Sequence, residues 1–172
     1  MLDTTEIERR LNELEHRLAN VITRGTVAEA DYPAARVRVQ VGENTTAWLP
    51  WLTRRAGAAI EWWAPEVGEQ VTVLAPSGDL AQAVVLPALY STAHPAPQSD
   101  PKIHRVNYGD SSFVEYNENS HTMTITINGG DAVLNTTGNL DAVVGGNAEV
   151  EAAGHAKVTA NNIELDGTGG GG

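Results

Sequence analysis

The chain has 172 residues, a formal net charge of −11 and no cysteine. That acidity argues against nucleic acid as the main partner and against a polybasic membrane-surface site. The missing thiols rule out a disulfide framework, a zinc–thiolate centre and a cysteine nucleophile.

The first residues, MLDTTEIERR, are charged and hold no apolar h-region, so no signal peptide is expected. No stretch approaches the roughly 20 apolar residues that span a bilayer. From Thr4 to Val21 the pattern is helical. Ile7, Leu11, Leu14, Leu18 and Val21 follow a 4-3-4-3 spacing, with Glu and Arg on the other faces. Thr4 or Thr5 is expected to cap this helix, with Glu8 as the capping-box partner. Its apolar face suits either packing on its own domain or a short self-associating coiled coil. Two and a half heptads are too few to stand alone, so the second use needs oligomerisation fixed elsewhere.

Residues 22–92 read as β structure. Val37, Val39 and Val41 alternate along one face, and Val71–Leu74 and Ala83–Leu86 are short apolar runs bounded by turn residues. About five strands in some 70 residues suit a small OB-fold barrel. All four tryptophans lie between Trp48 and Trp63. Core packing and subunit contacts are expected of them. Residues 93–102 then hold Pro95, Pro97 and Pro101, as an extended linker does.

From 103 onward the chain is poor in aromatics and rich in Gly, Ala, Asn and Thr, too sparse in large side chains for a core of its own. Thr122 to Ile127 alternates strictly. Gly130, Gly138, Gly146 and Gly154 then stand eight apart, with Asn162 in the fifth place. Even offsets from each glycine carry small or apolar residues, among them Leu134, Leu140, Val144, Val150 and Val158. Odd offsets are mostly polar: Asn139, Asp141, Asn147, Glu149, Glu151, Lys157 and Thr159. An octad supplies one strand and one bend. Ordering it costs on the order of 8–16 kcal/mol of backbone entropy, and a buried Val returns about 1.5–3 kcal/mol. One chain's octads therefore need neighbouring strands. Eight residues are short for a coil of a single-chain β-helix but fit one face of a prism wound from three chains, which also removes sheet edges. Leu134, Leu140, Val144, Val150 and Val158 are the expected trimer core, in an intertwined β-helix over 103–172.

Four segments carry a family resemblance: Trp48-Leu-Pro-Trp51, Arg54-Arg-Ala-Gly57, Trp62 to Val71 and Ala83 to Ser91. Together they resemble the OB-fold of phage baseplate assembly protein V, the tail spike of contractile phages and R-type pyocins. Tyr108 to Tyr116 resembles the entry into that family's spike β-helix. The resemblance implies a homotrimer whose OB domains plug the tail tube and contact baseplate hub proteins. Its spike would pierce the target cell's outer membrane mechanically, without enzymatic activity. The particle would assemble in the host cytoplasm and act outside it. Family spikes commonly end in a His-x-His iron site. His16, His94, His104, His121 and His155 include no such pair, and the chain closes on Asp166-Gly-Thr-Gly-Gly-Gly-Gly172. Either the apex differs or the tip is missing, and no metal or other cofactor is expected.

Other chemistries are weaker. Gly109-Asp110-Ser111 opens like a GDS-type hydrolase motif, but the Asp-x-x-His partner is absent, and a turn is the better reading. Gly129-Gly130-Asp131 has the wrong period for calcium-binding nonapeptides. Glu149 and Glu151 share a face with no cleft for glycoside hydrolysis. His155 is expected at the surface. The tryptophans could stack on single-stranded nucleic acid or glycan in an OB groove. That alternative is opposed by seven acids against Arg24, Arg36, Arg38, Arg54 and Arg55 in the domain, and no nucleic acid is expected. A cell-wall hydrolase is the third reading.

Overall fold

A computed structural model describes residues 3–165 and 167. The chain divides into two units, Met1–Gly129 and Gly130–Gly172.

The first unit begins with helix α1, Thr4–Asn20. Its start differs from the capping expected of Thr4 or Thr5. Asp3 is the N-cap and makes no side-chain cap bond, while the Ile7 amide donates to the Asp3 carbonyl at 3.1 Å. Glu8 therefore closes no capping box. Ion pairs one turn apart run along its surface, Glu6 with Arg9 and Arg10 and Glu13 with Arg17. Exposed pairs of this kind contribute little. No residue of α1 is buried, so its apolar face does not lie on the domain.

Strands β1 (Ile22–Asp31), β2 (Arg36–Val41), β3 (Asn44–Thr45), β4 (Gln70–Leu74) and β5 (Val84–Leu89) form an antiparallel sheet in the order β3-β2-β1-β4-β5. Val27 faces Val39 and Ala30 faces Val37 across β1–β2, with a register shift between Val27 and Glu29. Such a bulge increases local twist and helps a sheet curl. Gly25 is needed at the β1–β2 crossing, because a Cβ there would lie 2.5 Å from the Gln40 carbonyl oxygen.

Closure comes from the segment after β3. Leu49 exchanges both backbone bonds with Val37, at 2.8 and 2.9 Å. On the other side, the Val85 amide donates to the Pro50 carbonyl at 2.9 Å and the Leu52 amide to the Val85 carbonyl at 2.7 Å. One short stretch thus joins both edges, and the sheet becomes the five-stranded barrel that the alternation predicts. Its core is Val27, Val37, Val39, Leu49, Val71, Val73, Ala75, Ala83 and Val85, none more than 2% exposed. Burying these mostly β-branched side chains contributes about 1.5–3 kcal/mol for each Val or Leu.

After an irregular stretch through 102, β6 (Ile103–Asn107), β7 (Phe113–Asn117) and β8 (Thr122–Thr126) form an antiparallel meander. The alternation of Thr122 to Ile127 thus becomes strand β8. Arg105 ties β6 to β7: it bonds Glu115 at 2.9 Å and lies 3.7 Å from the centre of the Phe113 ring.

The second unit is built differently. Among its described residues there is no strand from 130 to 165, only extended chain broken by bends. The bends fall at Thr137–Gly138, Gly145–Gly146, Ala153–Gly154 and Asn161. Their spacing is the eight-residue period of the sequence. The tail from Asp166 lies outside the described residues apart from Gly167.

Candidate functional site

Three features were singled out by sequence: the octad side chains, the tryptophan block and the turn at Asp110. Leu134, Leu140, Val144, Val150 and Val158 are 73, 66, 53, 90 and 76% exposed in the single chain. Nothing lies within 4 Å of a Cβ placed on Gly138, Gly146 or Gly154. Every residue from 131 to 165 is exposed. An extended chain with this much free apolar surface and no backbone partners forgoes the burial that would offset its ordering. Glu149 and Glu151 lie on this extended chain rather than in a strand of it, and both are exposed, as is His155. Val133 and Val143 break the polar rule at odd offsets and are 76 and 95% exposed.

The tryptophans do not fill the barrel core, contrary to the packing role expected of them. The core is closed by aliphatic side chains, chiefly valines small enough for its narrow interior. Only Trp51 packs against that core, and it is partly buried. Trp62 meets Trp51 edge to face, with ring centres 5.6 Å apart. Trp63 stacks on Tyr108 at 6.4 Å, joining the barrel to the β6–β7 turn. Arg38 lies over Trp48 at 5.9 Å. Trp48, Trp62 and Trp63 remain substantially exposed.

Beside this rim an open cavity of about 560 Å³ is lined by Leu52, Arg54, Glu61, Trp63, Pro65 and Leu86, among others. Arg54 pairs with Glu61 at its mouth. The Glu61 carboxyl is held below its usual range by that Arg54 hydrogen bond. Its charge is therefore already neutralised by a salt bridge, and no histidine or serine lines the cavity to act with it.

Gly109-Asp110-Ser111 proves to be a turn that locks three strands. The Asp110 carboxylate accepts the Ser112 amide and the Ser112 hydroxyl, both at 2.9 Å. Ser112 Oγ in turn accepts the Asn128 amide at 2.9 Å, just past β8. Ser111 sits at φ 71°, a left-handed turn conformation. The Ser112 backbone and side-chain donors lower the Asp110 pKa. These groups are consumed in structure and leave no base for Ser111.

Among the described residues, no three His, Cys, Asp or Glu side chains gather to hold a metal ion. No helix among them is long and apolar enough to cross a membrane. Sequence reasoning missed the double pairing of Leu49 to Leu52, the Arg105–Glu115–Phe113 cluster and the Trp63–Tyr108 stack. The Asp-Ser-Ser run was the one local signal, since Asp favours such side-chain-to-backbone turns.

Residues 23–90 match the family model of the type VI secretion system/phage-baseplate injector OB domain. The spike protein of Escherichia phage P2 is 41% identical over 116 residues, covering 67% of this chain and 55% of that relative. The chain thus spans about half the length of the curated relative it matches.

Proposed function

We propose that this chain is a member of the phage-baseplate spike family, as the match of residues 23–90 to the injector OB domain and the likeness to the phage P2 spike protein support, and that it is the homotrimeric central spike of a contractile tail or tailocin. Its role in the baseplate is structural. In the proposed mechanism three barrels plug the end of the tail tube against hub proteins, and the three octad segments wind into one β-helix that breaches the target envelope by force.

The observation that carries the reading is the octad segment itself. It bends every eight residues and exposes every apolar side chain. Two further copies would supply the missing backbone partners and cover Leu134, Leu140, Val144, Val150 and Val158. Asp141, Glu149, Glu151 and Lys157 would then face water. A dry core shared by three chains opens only by global unfolding, which gives the kinetic stability that a driven object needs. No titrating or nucleophilic group takes part in this mechanism.

The exposed tryptophans favour a second use, a stacking platform for bases or sugars. In the spike reading they are subunit contacts. Particles separate mechanical from chemical action. Val150→Asp with Val158→Asp should abolish assembly or penetration, whereas Asp110→Ala, Ser111→Ala, Glu149→Ala or Glu151→Ala should leave penetration intact. A single surface carboxylate change that leaves assembled particles unable to penetrate contradicts the mechanical reading.

A further inference from the structure

We propose that α1 packs in register and in parallel against α1 of two other copies of this chain, as a short three-helix coiled coil. This rests on the homotrimer reading and adds a self-contact that the octads do not supply.

The apolar face of α1 is free. Ile7, Leu11, Leu14 and Leu18 are 51–74% exposed, although their 4-3-4-3 spacing is that of a coiled-coil seam. In heptad terms Leu11 and Leu18 occupy a positions, and Ile7, Leu14 and Val21 occupy d positions. Leucine at a with β-branched residues at d shifts preference from two strands toward three or four. Ile7 supplies such a branch at the start of the seam, and Val21 follows the helix as its C-cap.

The occupant follows from the charges beside that seam. Arg10 and Arg17 precede the a positions, at g. Glu8 and Glu15 follow the d positions, at e. In a parallel, in-register bundle a g residue faces the next e residue of its neighbour, so Arg10 meets Glu15 of the adjoining copy. In an antiparallel bundle g faces g and e faces e, which would set arginine against arginine and glutamate against glutamate.

The pairing within one chain agrees. Glu6 and Glu13 are taken by Arg9, Arg10 and Arg17. Among the described residues, Glu8 and Glu15 make no ion pair. Three and four residues from Glu15 stand Leu11, Asn12, Leu18 and Ala19, which offer it no cation. The two acids without a partner on their own helix are the two that flank the apolar seam. A 17-residue helix is marginal alone, so this contact forms with the rest of the trimer and not ahead of it.

The chain lacks cysteine, so single cysteines report cleanly. Under mild oxidation, Ile7→Cys on the seam should give disulfide-linked pairs at several-fold higher yield than His16→Cys on the outer face. An antiparallel bundle would set residue 7 near residue 18 and leave Ile7→Cys unlinked. In the Ile7→Cys background, Glu15→Arg should lower the yield several-fold, and adding Arg10→Glu should restore it. Equal yields at 7 and 16, or no link at 7 in a sample whose light-scattering mass is trimeric, would overturn the helix contact and leave the spike reading standing. A monomeric mass with no link would overturn both.

Discussion

The barrel and the octad segment read alike in sequence, since both alternate apolar and polar residues, yet they bury their apolar faces differently. In the barrel, antiparallel strands pair with one another, and Val37, Val39, Val71, Val73 and Val85 reach 0% exposure within one chain. In the octads, among the described residues, no extended run is a strand, and Val150 remains 90% exposed. Alternation therefore says that a face must be buried, and strand pairing within the chain decides whether one chain can do it. A barrel closed within the chain is a fold. An octad left open is, in the proposed spike, a surface for two further copies of the chain.

The largest effect should come from attacking the open half. Val150→Asp with Val158→Asp would place six carboxylates, two from each of three chains, on the proposed dry axis, where desolvation has no compensation. Slow amide exchange across 130–165 should be lost and the mass should fall to one chain, while the amides of β1, β2 and β4 in the barrel stay protected. If that double variant kept its trimer mass and its melting temperature, the two regions would not differ as described.

Attacking the closed half should do the reverse. Leu49→Ala removes a fully buried side chain from the barrel-closing segment and should cost about 2–5 kcal/mol in chemical denaturation. Its effect should appear in the barrel transition, and protection of the octad amides should survive. A coupled loss of both signals would merge the two regions into one cooperative unit.

A smaller effect concerns the turn at Asp110. Its carboxyl pKa is lowered by the Ser112 donors, so its contribution is present above the ordinary aspartate range and is lost as pH falls through the depressed value. Asp110→Asn should flatten the acid limb of the stability curve without altering the neutral mass. An unchanged acid limb would mean that the Asp110–Ser112 bonds contribute nothing to stability.

The smallest expected effect is none at all. Titrating the protein with oligonucleotides or muropeptides should give no saturable change in tryptophan fluorescence. A micromolar curve that weakens steeply with salt would assign the tryptophan rim to a ligand.

The legible parts were those set by local period. The Thr4–Asn20 helix, the alternation of Val37 to Val41 and the octad bends all follow from spacings within a few residues. The closure through Leu49 to Leu52 was not legible, because it depends on two edges distant in sequence meeting one short segment. The tryptophan positions misled for a related reason. Large apolar residues suggest core, but the barrel's interior takes valines, and the rings lie outside on each other, on Tyr108 and on Arg38. The cap at Asp3 was missed because both threonines after it are good cap residues by type, and the helix simply starts one residue earlier.

The central claim is that the octad segment completes its fold only with other copies of itself. The most direct test is the mass of the purified protein in solution by light scattering. Three times the 18.3 kDa chain mass, unchanged by salt and dilution, is the result this account predicts. A stable, monodisperse species of one chain mass with slowly exchanging amides across 130–165 would contradict it.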